Sequence, residues 1–231
     1  MSSEQKSADG PRAGARPPGR PPRLELATIV GAARHILETE GPAGLSMRRL
    51  AKEVGSTPMA LYRHVRDKDE LMLLAVDGLA ATVPRPELPA DPRERVHVTA
   101  LHMHDVLWEM PWVVDIISLG ELTDRHALWM VEEIVDSAMA CGLGESDAVH
   151  AYRSIWHFVL GTLVFRSAMA RRARQPDRPR YFMEMLREAD PAEMPRLAAL
   201  SDRWPEVLDG YDVARELRAV VDGLLDRRPA R

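Results

Sequence analysis

Apolar residues recur along this chain at intervals of three and four, the spacing that lines one face of an α-helix. Leu26, Ile29, Val30, Ala33, Ile36 and Leu37 keep that spacing until Gly41-Pro42 interrupts it, which predicts a first helix over about 24–40. Ser46 is placed to cap a second helix over about 47–54. Leu45 and Leu50 stand where a hydrophobic staple would form, and Gly55 suits the left-handed residue just past the end. Thr57 then caps a third helix opened by Pro58, a first-turn position where proline's missing N–H does no harm. The turn between these two helices is only Gly55-Ser56-Thr57. Two short helices joined this way form a helix-turn-helix, whose second helix enters the major groove of DNA.

Asp67 and Glu70 read as a capping box for a fourth helix reaching about Val83, before Pro84, Pro86, Pro89 and Pro92 force an exposed connection. Helical periodicity returns over about 92–110, 111–119, 123–141, 146–174, 179–189 and 211–227. Pro111, Gly142-Leu143-Gly144 and Pro191, Pro195 and Pro205 punctuate these stretches, and neither strand signals nor an internal repeat occur. The expected fold class is all-α: a three-helix helix-turn-helix head over 23–70, a helical body over 71–231, and a Pro, Arg and Gly-rich arm over 1–22 that cannot bury a core.

Composition adds the setting. No apolar run approaches the roughly 18 residues a membrane span needs, the N-terminus has no apolar leader, and Cys141 is the single cysteine. We therefore expect a soluble cytoplasmic protein with no membrane contact and no disulfide. The net charge of −4 looks wrong for a nucleic-acid binder until it is divided. Residues 1–70 hold 12 of the 31 Lys+Arg and 9 of the 35 Asp+Glu, leaving 19 against 26 for the remainder. A basic head is joined to an acidic body. Arg12, Arg16, Arg20 and Arg23 punctuate the arm, with no acidic residue between Gly10 and Leu24. The arm is thus either a disordered leader or a strap for the minor groove.

The run Gly44-Leu45-Ser46-Met47-Arg48-Arg49-Leu50-Ala51-Lys52-Glu53-Val54-Gly55, followed after five residues by Leu61-Tyr62-Arg63-His64-Val65-Arg66-Asp67-Lys68-Asp69-Glu70-Leu71, resembles the tetracycline-repressor (TetR) family. The match is local, covering about residues 24–75. It implies an all-α homodimer with a DNA-binding head, a connecting fourth helix, and a variable ligand-binding body in which two long helices per subunit pair into a four-helix bundle. By the same resemblance Tyr62, His64, Ser46 and Lys68 meet phosphates, Lys68 acting together with the N–H groups that open the fourth helix. Arg48 reaches a base edge, where arginine forked onto guanine is the commonest specific contact. Thr57 begins the recognition helix. Pro58, Met59 and Ala60 are short or apolar, suited to thymine methyls but not to bidentate hydrogen bonds, and Arg63 can serve phosphate or base. For Tyr62 the alternative is a lid on the small core, and for Arg48 and Arg49 a solvated helix face.

The body carries the candidate chamber for a small-molecule effector. His104, Trp108, Trp112, Trp129, Tyr152, Trp156 and His157 interleave aromatic surface with polar groups, the composition of ligand pockets and equally of helical cores. His97, His102 and His104 share a helix at spacings that do not converge on one metal, so neither metal nor cofactor is expected. Cys141 reads as a small hydrophobe. No phosphate loop or nucleophile-base arrangement points to an enzyme. The 146–174 stretch and the last helix, with Val213, Leu217, Val220, Val221, Leu224 and Leu225 forming a stripe too wide for an intrachain face, are the expected dimer elements. A twofold dimer implies a palindromic operator. The reading is a ligand-released repressor, the alternatives being a ligand-responsive activator or a regulator without a ligand.

Overall fold

The computed structural model describes residues 24–118, 124–174 and 181–227, so the arm over 1–22 lies outside the described residues. The chain runs α1 (Leu26–Glu40), α2 (Met47–Glu53), α3 (Pro58–Leu61), α4 (Lys68–Val76), α5 (Leu79–Thr82), α6 (Pro92–Glu109) and α7 (Pro111–Ile117). A 3-10 turn at Arg125–Ala127 leads into α8 (Leu128–Ala140), α9 (Glu145–Ala173), α10 (Tyr181–Arg187), α11 (Pro195–Leu200), α12 (Trp204–Asp209) and α13 (Val213–Leu225). No strand occurs among the described residues.

Two apolar cores organise these helices. The first gathers Ile29, Ala33, Ile36 and Leu37 of α1 with Leu45, Leu50, Ala51, Leu61 and Val65, closed from below by Leu71, Met72, Ala75 and Val76 of α4. Trp112, Val113, Ile116 and Ile117 of α7 belong to this same core, so an element of the body is packed into the head. Arg34 adds a clamp by donating from Nε to the Ala75 carbonyl at 2.9 Å. In the second core α6, α8, α9 and α13 meet through Val96, Ala100, Met103, Ile134, Ala138, Ile155, Val159, Leu163, Leu217 and Val221.

Several expectations need correction. The fourth helix does not reach Val83. Asp77 is extended at ψ 132° and Gly78 is left-handed at φ 78°, which splits it into α4 and α5. The Asp-Gly pair is the local signal for this break, since Gly reaches positive φ without a Cβ penalty. Glu70 departs slightly from a capping box: Asp67 accepts the Glu70 N–H at 2.8 Å, but Glu70 reaches back to the N–H of Arg66, one residue before the cap. The proline-punctuated stretch after 189 holds α11 and α12, each opening with proline in its first turn. The stripe on the last helix is mostly satisfied within the chain, for Leu217, Val221, Leu224 and Leu225 are buried in the second core. What α13 leaves outside is Ala214, Arg215, Arg218, Ala219 and Gly223.

Candidate nucleic-acid interface and effector region

The head is built by local chemistry. Ser46 Oγ accepts the Arg49 N–H at 3.2 Å and Thr57 Oγ1 accepts the Ala60 N–H at 3.3 Å, each satisfying a donor that a helix start leaves open. Between the helices Gly55 sits at φ 61°. Its N–H donates to the Lys52 carbonyl at 3.3 Å, and that of Ser56 donates to the Ala51 carbonyl at 2.8 Å, the paired bonds of a Schellman turn. The chain therefore turns sharply out of α2 and into α3 with the Ala51 and Lys52 carbonyls satisfied.

That turn exposes the residues expected to read DNA. Ser46, Arg48, Thr57, Pro58, Arg63 and His64 are exposed, Met59 is 70% exposed and Tyr62 49%, while Ala60 is half-buried beside the core residue Leu61. Only α3's four residues are α-helical, and bonds from His64 N–H and Val65 N–H to the Leu61 carbonyl continue it as a turn. Tyr62 does not lid the core. Among the described residues Arg48 makes no ion pair, in contrast to Arg49, which is held by Glu40 at 2.6 Å. Lys68 is half-buried and donates from Nζ to the Pro42 carbonyl at 2.6 Å. It pins the start of α4 to the end of α1 and keeps further N–H donors for a phosphate.

The residues of the expected effector chamber do not converge on one enclosed cavity. His104 is buried on α6 with its ring 5.5 Å from that of Trp108. Its Nδ1 faces the Asp105 carboxylate at 2.9 Å, while its buried Nε2 has no partner. Thr99 Oγ1, a turn earlier, is likewise buried and unpartnered. Trp108 is covered on one face by the Arg166 guanidinium, 3.2 Å from the ring centroid, and its carbonyl accepts from the same arginine at 2.8 Å. Trp112 lies in the first core instead. Trp129 stacks beside His102 under Arg85. Tyr152 and Trp156 are half-buried on α9, and His157 is exposed on that helix's outer face. Burial lowers the His102 pKa and raises those of Tyr152 and Cys141.

Two tertiary contacts escaped the sequence. Arg166 meets Trp108 across 58 positions. Asp124, only 7% exposed, accepts the Ala80 N–H at 3.1 Å and the His126 N–H at 2.9 Å, tying α5 to the turn before α8. Neither pairing has a local spacing that could have announced it.

Known proteins place this arrangement. Residues 29–75 match the model described as bacterial regulatory proteins, tetR family, and residues 85–227 match the tetracyclin repressor-like C-terminal domain. The chain belongs to the tetR family of regulators. An HTH-type transcriptional regulator from Saccharopolyspora erythraea is 30% identical over 174 residues, 68% of this chain and 73% of that protein. A crystal structure of BioQ with its double-stranded DNA operator superposes with TM-score 0.59 at 26% identity, covering 88% of this chain and 99% of that one. ActR of Streptomyces coelicolor in complex with (S)-DNPA gives TM-score 0.63 at 25% identity, over 88% and 98%. The tetR-family chain described here is thus a transcriptional regulator with an N-terminal helix-turn-helix and a helical C-terminal domain. Among the described residues no helix is long and apolar enough to cross a membrane.

Proposed function

We propose that this regulator is a cytoplasmic, non-catalytic repressor that binds a palindromic operator as a homodimer and leaves it when a small aromatic effector enters the body. The observation that carries the reading is the exposed α2–α3 unit, where two side-chain caps and a Schellman turn hold Arg48, Thr57, Pro58, Met59 and Tyr62 outward. Arg48 reads a base edge. Ser46, Tyr62, His64 and Lys68 take phosphates, Pro58, Met59 and Ala60 meet the groove floor, and Arg63 adds a donor. BioQ, solved on its operator, supports this use of the head. Two heads about 34–36 Å apart match one DNA turn.

The outer face of α9, with His157, Gly161, Phe165 and Met169 at four-residue steps, faces the twofold partner together with the small residues of α13. The effector acts at α6, whose buried His104 Nε2 has no partner among the protein's own groups and thus offers a ligand a hydrogen bond. The ligand-bound ActR supports a small-molecule input. Because α6 runs through Met110 directly into α7, and α7 is packed in the head's core, a ligand that shifts α6 also shifts the head.

Fluorescence anisotropy with DNA flanking the protein's own gene tests the reading. Tight binding that weakens steeply with salt, and weakens uniformly across sequences for Lys68→Ala, is expected. Absence of binding to any such DNA would overturn it.

A further inference from the structure

Two tryptophans of the body each carry an arginine on one ring face and a histidine of α6 beside them. Arg85 lies over Trp129, 4.8 Å from the ring centroid, with His102 alongside. Arg166 lies over Trp108 at 3.2 Å, with the His104 ring 5.5 Å away. The first stack is self-contained, for His102 is half-buried and no polar atom in it is left buried without a partner. In the second, His104 is 5% exposed and its Nε2 has no partner. Such a deficit costs stability unless a group from outside the chain meets it.

The surroundings of Nε2 fix the chemistry of that group. The Asp105 carboxylate, 2.9 Å from Nδ1, can only accept, so Nδ1 holds the proton and Nε2 of the neutral ring presents a lone pair. The missing group must therefore donate. His104 and Trp108 stand one helical turn apart on the same face of α6, so whatever bonds Nε2 has the indole beside it. Trp108 is 37% exposed, and what covers its face is a flat cation, which an aromatic ring of similar thickness can replace. Arg166 is half-buried, makes no ion pair among the described residues, and spends one N–H donor on the Trp108 carbonyl at 2.8 Å. Its remaining donors suit a carboxylate.

We propose that the face of Trp108 is an effector subsite occupied by Arg166 until a planar aromatic hydroxy acid displaces it. The hydroxyl donates to His104 Nε2, the ring lies on the indole in place of the guanidinium, and the displaced Arg166 pairs the carboxylate. Because Nε2 is buried and Arg166 half-buried, the hydroxyl forms the inner end of the ligand and the charge stays at the mouth, where its desolvation costs least. The proposal rests on the reading above that the effector acts at α6.

Titration calorimetry on the full-length protein tests it with three probes built on one ring system: 6-hydroxy-2-naphthoate, 6-methoxy-2-naphthoate, which cannot donate, and 2-naphthol, which has no carboxylate. The first should bind at least about tenfold more tightly than either of the others. Arg166→Met should erase its advantage over 2-naphthol, and His104→Leu its advantage over the methyl ether. The comparison among probes on the unmodified protein needs no variant, so it stands even if one fails to fold. A smaller difference among the probes, no binding of any at millimolar concentration, or unchanged selectivity in either folded variant overturns the subsite. Operator binding, measured separately, still decides the regulator reading.

Discussion

Replacing Asp124 isolates the joint between the connecting helices and the body. Its two carboxylate oxygens are divided between two backbone donors, Ala80 N–H at 3.1 Å and His126 N–H at 2.9 Å, in a site only 7% exposed. A side-chain cap on a helix start contributes about 1 kcal/mol, and a donor left buried without a partner costs about 1–3 kcal/mol. Asp124→Ala should therefore destabilise the folded protein by about 2–3 kcal/mol. Asp124→Asn keeps one carbonyl acceptor and should lose about half of that. The assay is urea unfolding followed by tryptophan fluorescence, at one fixed protein concentration because dimerisation contributes to apparent stability. With a slope of about 3 kcal/mol/M, alanine lowers the midpoint by roughly 0.7–1 M and asparagine by roughly half as much. An alanine variant within about 0.5 kcal/mol of wild type, the range of an ordinary surface change, would show that Asp124 does not hold α5 to the body, and the argument would fail.

Other substitutions probe other parts of the molecule. Arg48→Ala should cost about 1–3 kcal/mol of operator affinity and relax preference at one base pair, read by anisotropy with single-base operator variants; a uniform loss across sequences would instead make Arg48 a phosphate contact. His104→Leu removes the buried Nε2 that has no partner, so Tm should hold or rise by about 2–4 °C while effector-induced release of DNA disappears; a fall in Tm with release intact would remove His104 from the effector region. The Asp222 carboxyl is held below its ordinary pKa first by the Arg93 hydrogen bond and then by His97. A depressed folded-state pKa stabilises above the unfolded value and is lost as pH falls through the folded one, so this contribution is full above about pH 4 and is lost progressively below it. Asp222→Asn should lower Tm at pH 7 and flatten its fall in acid; an unchanged acid slope would show that the Arg93–Asp222–His97 contact does not couple to folding.

Much of the head was legible because its determinants lie a few residues apart. Ser46, Gly55, Thr57, Pro58 and Asp67 satisfy backbone groups within four or five positions, and caps and turns of that reach act before any tertiary contact exists. The helical period likewise showed which face of α1 is buried, since Ile29, Ala33, Ile36 and Leu37 all turn inward. Period alone does not say which surface covers a face. It read the stripe of α13 as a dimer contact when Leu217, Val221, Leu224 and Leu225 fill their own core, and it grouped Trp108, Trp112 and Trp156 into one chamber when Trp112 packs in the head.

The sequence by itself determined the helix-turn-helix, its outward residues and the all-α class, because capping hydrogen bonds and 3.6-residue periodicity are local. Tertiary structure alone decided that α7 belongs to the head's core, that Arg166 covers Trp108 and that Asp124 bridges α5 to the turn before α8. Those partners meet only when helices 44 to 58 residues apart are packed together, and burial, not spacing, selects them.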